Sequence, residues 1–122
     1  MLKERAKAVT SLSDLMNGRE KGNTSDLIDK KLTVQAVDLT RLLNNNTGEL
    51  EDVPVIVFKE IADKFYFGGT VWKQIIESWV ELYDTTTPLK EVNEDLQKEN
   101  VIVEITNGRT KKGNNITRVE IL

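Results

Sequence analysis

Apolar and polar residues alternate from Leu32 onward, which predicts a long first strand. Leu32, Val34 and Ala36 occupy one face, and Val37 and Leu39 continue the apolar series one residue out of phase. A one-residue slip inside a strand moves every later side chain to the opposite face unless an extra residue is inserted. The pattern therefore predicts a β-bulge, and with it a sharp bend, near Ala36.

The rest of the chain predicts four more strands and two helices. The strand predicted at 53–59 is apolar on both faces, so it needs cover on both sides. In the helix predicted after the Gly68-Gly69 pair, Thr70 is the expected cap, and Val71, Ile75, Trp79 and Leu82 recur at spacings of four, four and three residues. We therefore expect a deeply packed helix, with both Trp72 and Trp79 in the core. After the first strand, the predicted elements are a turn at 44–48, strands at 53–59 and 63–67, helices from Thr70 to about Tyr83 and from Pro88, and strands at 101–106 and 116–122.

Three strands, a helix and two strands are the order of the oligonucleotide-binding (OB) fold. For residues 31–122 we therefore expect a mainly β (α+β) domain, a five-stranded Greek-key barrel with a helix between strands three and four. Small α+β sandwiches share this order and stay open as an alternative. Residues 1–30 are polar and lack a long period, and we expect an N-terminal arm that packs on the domain or on a neighbouring subunit.

Composition then removes several classes of function. The 122 residues include no cysteine and no histidine, so the sequence offers no disulfide, no thiolate metal site and no imidazole base. The Gly-Gly of Phe67-Gly-Gly-Thr70 lacks the spacing of a phosphate-binding loop. We therefore expect no enzymatic activity, no cofactor and no metal. Because no apolar stretch approaches ~20 residues and the start lacks the apolar core of a signal peptide, we expect a cytoplasmic protein without membrane contact.

Charge is unevenly distributed in this chain of net charge −3. The run 107–118 contains Arg109, Lys111, Lys112 and Arg118 and no acidic residue, between two predicted strands. It is typical of a basic finger at the tip of a β-hairpin. Like charges repel one another unless an anion offsets the repulsion, and a nucleic-acid backbone is the commonest such anion. A solvated loop that uses its cations for solubility is the alternative.

Aromatic and cationic residues also interleave on predicted strands two and three, where OB folds bind their ligands. These strands carry Phe58, Phe65 and Tyr66 beside Lys59 and Lys64. Stacking on a ring contributes about 1–3 kcal/mol per base and lysines neutralise phosphates, so binding without base readout is available. We expect Tyr66 to face outward, because its hydroxyl is easier to satisfy there. Phe58 is as consistent with the core as with a stacking surface.

These considerations define a set of residues predicted to bind single-stranded DNA. Arg41, at the end of the bent strand, is included as a phosphate contact, although a lone surface charge explains it equally well. The predicted set is Arg41, Phe58, Lys59, Lys64, Phe65, Tyr66, Arg109, Lys111, Lys112 and Arg118.

Three segments, at 54–60, 63–72 and 111–121, resemble single-stranded DNA-binding proteins of bacteriophages that infect Gram-positive hosts. The resemblance implies an OB barrel that coats strands exposed during replication, repair or recombination, as a dimer or tetramer in the host cytoplasm. Phage or host replication and recombination proteins are the implied protein partners. The contacts implied by position are Lys59, Lys64, Phe65, Tyr66, Arg109, Lys111 and Lys112.

A protein-interaction module is the competing hypothesis for function. The net charge of −3, together with Glu49, Glu51 and Asp52 in the first loop, favours a factor that docks on a host or phage replication protein without binding nucleic acid. RNA in place of DNA also stays open, because stacking and phosphate pairing do not distinguish the two without a contact to the 2′-hydroxyl.

Overall fold

Six strands and two α-helices make up the described part of the chain. The computed structural model describes residues 13–44, 46–109, 112–113 and 115–122. The strands are β1 (Glu20–Lys21), β2 (Lys30–Leu43), β3 (Leu50–Phe58), β4 (Lys64–Phe67), β5 (Ile102–Arg109) and β6 (Asn115–Ile121). The helices are α1 (Thr70–Val80) and α2 (Pro88–Lys98). Single 3₁₀ turns are formed by Asp14–Met16, Thr24–Leu27 and Lys59–Ile61.

The strands form one mixed sheet in the order β1-β4-β3-β2-β5-β6. β1 runs parallel to β4, and the other neighbours are antiparallel. The mainly β class is confirmed, whereas the expected closed barrel is wrong, because the described sheet is open with β1 at one edge and β6 at the other. β1 pairs with β4 at Lys64 and Phe65, on the edge that β6 would need in order to close a barrel.

β2 bends because its two halves pair with different strands. The first half, from Lys30 to Thr33, pairs with β5, and the second half, from Val34 to Leu43, pairs with β3. The register shifts between Val34 and Ala36, which confirms the predicted bulge. The long strand therefore joins the two halves of the sheet at a corner.

Helix α2 satisfies the backbone of β2 beyond the point where β5 stops pairing with it. Asn93 accepts a hydrogen bond from the Val37 N–H on Oδ1 and donates from Nδ2 to the Val37 carbonyl, both at 2.9 Å. Gln97 Nε2 donates to the carbonyl of Gln35 at 2.8 Å. Unpaired backbone groups are costly to bury, so these amides take the role of a neighbouring strand.

The side chain of Glu60 likewise satisfies a backbone N–H on the first half of β2. Its two carboxylate oxygens accept from the Thr33 N–H at 2.8 and 3.0 Å, and one of them accepts from the Thr33 hydroxyl at 2.9 Å. Burial acts to raise the pKa of this carboxyl, but the hydrogen bonds from Thr33 outweigh it and lower the pKa below its ordinary value. The stabilisation is therefore present above the ordinary pKa and is lost as the pH falls through the lowered one.

The larger apolar core lies between one face of the sheet and the two helices. Trp72 is buried in it and Trp79 packs against it, as predicted. The cap of α1 is Gly69 and not the expected Thr70. The helix ends at Val80, so Leu82 of the predicted stripe lies beyond it and is 74% exposed. α2 has the predicted proline in its first turn. Fully enclosed side chains of this core include Val34, Val37, Ile56, Phe58, Ile76 and Val103.

A smaller cluster on the opposite face confirms that β3 is covered on both sides. Val55, Val57 and Phe65 are buried there, and Leu15 and Met16 of the N-terminal segment pack on them. The apolar residues of β3 therefore alternate between two cores, which explains why its sequence shows no polar face.

Ser13 fastens this N-terminal segment to β2. Its N–H donates to Thr40 Oγ1 at 3.0 Å, and its hydroxyl donates to Asp38 Oδ2 at 2.6 Å. The same hydroxyl oxygen accepts from the N–H of Leu15 at 3.2 Å and so caps the first 3₁₀ turn. The packing of residues 13–29 is thus on the sheet itself, of which β1 is part.

Tyr83 links the end of α1 to α2 and gives a testable pH dependence. Its hydroxyl donates to Asp95 Oδ2. This hydrogen bond, then burial, then the charges of Asp95, Glu91 and Glu99 raise the pKa of Tyr83 to about 12. The folded state thus prefers the phenol, and the stability that the bond contributes is present below about pH 10 and lost as the pH rises towards 12.

This preference can be measured by following tyrosine ionisation in ultraviolet absorbance. In Tyr66→Phe, where Tyr83 is the remaining tyrosine, we expect ionisation near pH 12. Adding Asp95→Asn removes the carboxylate and should return the midpoint towards 10. A midpoint that is the same with and without the Asp95 carboxylate would contradict the assignment.

Candidate nucleic-acid interface

An apolar cavity, which we call the cleft, is lined by β4 on one side and β6 on the other. It has a volume of about 310 Å³ and is lined by residues of β3, β4, β5 and β6, the start of α1 and the second 3₁₀ turn. Its walls include Thr24, Leu27, Ile56, Phe58, Tyr66, Phe67, Gly68, Gly69, Thr70, Val71, Trp72, Ile105, Thr117 and Val119.

The cleft exists because β1 is too short to extend the sheet along β4. After Gly22, whose N–H donates to the Phe65 carbonyl at 2.8 Å, the chain turns away into the 3₁₀ turn that carries Leu27. A Cβ on residue 22 would lie 2.3 Å from Cε1 of Tyr66, so glycine is needed where the chain crosses this ring. The edges of β4 and β6 therefore face each other across a space that no described strand fills.

A polar depression of about 460 Å³ adjoins the mouth of the cleft. Lys21, Gly22, Asn23, Thr24 and Phe67 line it, and Thr24 and Phe67 belong to both spaces. Lys21 Nζ lies 5.2 Å from the centre of the Phe67 ring, within range of a cation–π interaction. A cation and a half-buried ring thus stand side by side where the cleft opens to solvent.

Sequence reasoning missed both residues of this pair. Phe67 is the last residue of the aromatic run in β4, and the run itself was the signal that could have pointed to it. Lys21 lies in a strand of two residues, which is too short to show any periodicity. Nothing in the sequence therefore separates Lys21 from the other lysines.

The aromatic residues predicted to stack on bases are buried. The expectation that Tyr66 faces outward is wrong, because it is 2% exposed and packs in the larger core, which β4 reaches at its centre. Phe58 is fully enclosed, with ring centres 5.8 Å from Tyr66 and 6.0 Å from Trp72. Phe65 is buried on the opposite face, against Phe67. These three predicted rings present no stacking surface to solvent, because this part of the sheet is covered on both faces.

The predicted cations on the sheet do not converge. Arg41 is exposed and faces Asp52 across the β2–β3 ladder, with Nε 3.7 Å from Oδ1. Lys59, near the Val34 end of that ladder, donates from Nζ to Asn100 Oδ1 at 3.2 Å. Seven ladder positions, or about 23 Å of strand, separate the two ends. Arg41 and Lys59 therefore lie far apart on the surface, and each is close to an acid, Asp52 for Arg41 and Glu60 for Lys59.

Lys64 is placed closer to the cleft, at the start of β4. It is half-buried and lies opposite Glu20 of β1 in the parallel ladder. Its distance along β4 from Phe67 is three residues, so it stands at the far end of this short strand from the mouth of the cleft.

The predicted β5–β6 pairing is confirmed, and the remaining predicted cations belong to this segment of the sequence. Lys112 and Arg118 are exposed. A Cβ on Gly108 would lie 2.5 Å from Nε of Arg118, so the guanidinium crosses the space above this glycine. Arg109 ends β5, but its side chain, like the whole of Lys111, lies outside the described residues.

One hairpin therefore supplies both a wall of the cleft and the basic run. Ile105 of β5 pairs with Val119 of β6, and both line the cleft together with Thr117. Arg118 projects from the other face of β6, because successive side chains of a strand alternate.

Metal and membrane features are also absent from the described part of the chain. There, no three acidic side chains are grouped so that they could hold a metal ion, and neither helix has the length and apolarity needed to cross a bilayer. Comparisons with protein-family models, with curated proteins and with solved structures find no match to this chain.

Proposed function

We propose that this protein binds single-stranded DNA without preference for base sequence. The observation that carries the proposal is the β5–β6 hairpin, which joins a run of four cations without an acid to the wall of an apolar cleft. Such a run attracts a phosphate backbone, and an apolar cleft beside it can hold bases that are not paired with a second strand.

The topology supports the same proposal. The first long strand is bent by a bulge and pairs with two different strands, and its partners β3 and β5 each continue into an antiparallel neighbour. We take this strand order as support for an OB-like arrangement, in which the cleft would correspond to the gap between the strands that close such a barrel. The finer assignment to the OB fold is part of this proposal.

In the proposed binding mode, hairpin cations contact phosphates and the half-buried ring of Phe67 takes the stacking role that the buried rings leave vacant. Lys21 lies beside that ring and adds a fifth cation at the mouth of the cleft. Because every base has a flat face, stacking of this kind tolerates any sequence.

The biological role proposed from the sequence resemblance is coating of strands exposed during phage DNA replication and recombination. It includes a homo-oligomer, a dimer or tetramer, in the cytoplasm of the host, and contacts to replication or recombination proteins. Coating requires that many copies bind along one strand, and cooperative binding is the usual behaviour of such proteins.

Salt dependence of binding tests the proposal. If the four cations of the run neutralise four phosphates, the logarithm of the association constant should fall against the logarithm of salt concentration with a slope of about −3. Replacing Arg109, Lys111 and Lys112 by alanine should weaken binding ~10-fold or more at 0.1 M salt and bring the slope to about −1. Titration of a fluorescently labelled oligothymidine at several salt concentrations measures both quantities.

A matched control removes the same charge elsewhere. Lys31, Lys90 and Lys98 are exposed on β2 and α2, and none belongs to the basic run. Their triple alanine variant should bind much as the unchanged protein does. Absence of binding at low salt, or equal losses in the two triple variants, would overturn the proposal.

A protein-interaction module is supported by a different surface, at the β2–β3 turn. Leu43 and Leu50 face each other there and are 45% and 36% exposed, beside Glu49 and Glu51. Exposed apolar residues within an acidic rim are typical of protein contacts. A pull-down from nuclease-treated host lysate distinguishes the two functions. Docking is supported if a protein partner is retained after nucleic acid has been digested and is lost from the double variant Leu43→Ser, Leu50→Ser.

A further inference from the structure

We infer that the cleft takes one unstacked nucleobase of the bound strand, held at its edge by the hydroxyl of Tyr66. This inference rests on the proposed function and names a subsite within it. The cleft is at the lower end of the range of small-molecule pockets, which is about 300–1,000 Å³, so it suits a small planar group.

The first argument is the Tyr66 hydroxyl. The residue is 2% exposed and lines the cleft, yet no hydrogen bond joins its hydroxyl to another described residue. Every side-chain nitrogen or oxygen that is sealed from solvent in the described part has a partner. The hydroxyl therefore reaches open space, and a group that enters the cleft can satisfy it.

The second argument is the chemistry of the walls. Rings of Phe67 and Trp72 and aliphatic side chains give apolar surface, which suits the two faces of a base. The start of α1 adds donors, because Gly69 caps it without a side-chain hydrogen bond and the first-turn N–H groups have no partner within the helix. Apolar faces with donors at the edge match a nucleobase, whose ring faces are apolar and whose carbonyl and ring nitrogens accept.

The third argument is the distribution of charge around the cleft, which favours a nucleotide over a peptide. Lys21 stands at the mouth, and Arg118 lies on β6 between Thr117 and Val119, which line the cleft. Burial and then the charges of Asp26 and Asp63 raise the pKa of Tyr66. The phenol therefore stays protonated at neutral pH and can donate. The phosphate of an inserted nucleotide therefore belongs beside Lys21, the cation at the mouth.

Two substitutions test the subsite by different means. Tyr66→Phe removes the hydroxyl and keeps the ring, and should weaken oligothymidine binding about threefold to tenfold. Thr117→Trp places a large side chain from exposed β6 into the mouth of the cleft, and should weaken binding about fivefold or more. Because neither change removes a charge, the slope against salt should stay the same in both.

Control variants carry the same chemical changes away from the cleft. Tyr83→Phe removes the hydroxyl that donates to Asp95, and Thr86→Trp adds an indole on the exposed connection between the helices. Both should bind oligothymidine like the unchanged protein. Circular dichroism confirms that each variant is folded before its affinity is compared.

Photo-cross-linking gives a readout that does not depend on affinity. An oligothymidine with one 5-iodouracil should attach to the peptide that contains Phe67 and Trp72, and Thr117→Trp should reduce that product. One outcome would overturn the subsite and leave the proposed function standing. In that outcome, DNA binds and the triple alanine variant of the basic run binds it more weakly. Tyr66→Phe and Thr117→Trp nevertheless bind normally, and the cross-links form on other peptides. If no DNA binds at all, both are overturned.

Discussion

Replacing Phe58 by alanine is expected to lower the free energy of unfolding by about 3–5 kcal/mol. The side chain is fully enclosed and contacts two other aromatic rings, Tyr66 and Trp72, at centre distances of 5.8 and 6.0 Å. Its removal leaves a void among rigid neighbours that cannot close over it. The loss of stability therefore has two parts, the free energy of burying the ring and the cost of the cavity that remains. Urea unfolding followed by tryptophan fluorescence measures the loss.

This experiment also decides between the two roles that the sequence left open for Phe58. A ring exposed for stacking on bases would cost little stability when truncated, so a loss under about 1 kcal/mol would contradict the buried position. Phe58→Leu is the matched control, because it keeps most of the volume and should cost less than half as much.

Asn93→Ala carries the second large expected effect, a loss of about 2–4 kcal/mol. The substitution leaves both the N–H and the carbonyl of fully buried Val37 without partners, and each unsatisfied buried group costs about 1–3 kcal/mol. For a domain of this size, a thermal midpoint lower by roughly 10 °C should accompany it. Calorimetry measures the midpoint directly.

Gln97→Ala provides the comparison within the same helix. It removes a single hydrogen bond, from an exposed side chain to the Gln35 carbonyl, which water can replace. Its cost should stay below about 1 kcal/mol. Equal effects of the two variants would show that the paired bonds of Asn93 do not act as a substitute for a strand.

The sequence predicted best what is encoded in local periodicity. The slip between Val34 and Val37 marked the bulge, and the two-sided apolar pattern of β3 required cover on both faces. Neither feature could identify the covering element. Leu15 and Met16 have no periodic partners nearby, and the contacts that hold them are to β2 and β3, far along the chain.

The candidate site was only partly accessible for a related reason. The cations of the basic run are consecutive or nearly so in the sequence and can be recognised there. The cleft depends on the relative positions of the edges of β4 and β6, which are far apart in the sequence. Tyr66 was misassigned because its hydroxyl was expected to need bulk solvent, and the cleft supplies open space to a ring that is otherwise buried. Asn93 is one of several polar residues on α2, and no pattern separates it from the others.

The corner in β2 has a consequence for the order in which the chain folds. The second half of β2 pairs with β3 across a short turn, and this ladder starts with residue 43 opposite residue 50. The first half pairs with β5, and that ladder places residue 33 opposite residue 102. Loop closure costs more entropy for the distant pair. We therefore expect the β2–β3–β4 meander to assemble first and the β5–β6 hairpin to dock last, in the step that would also create the cleft.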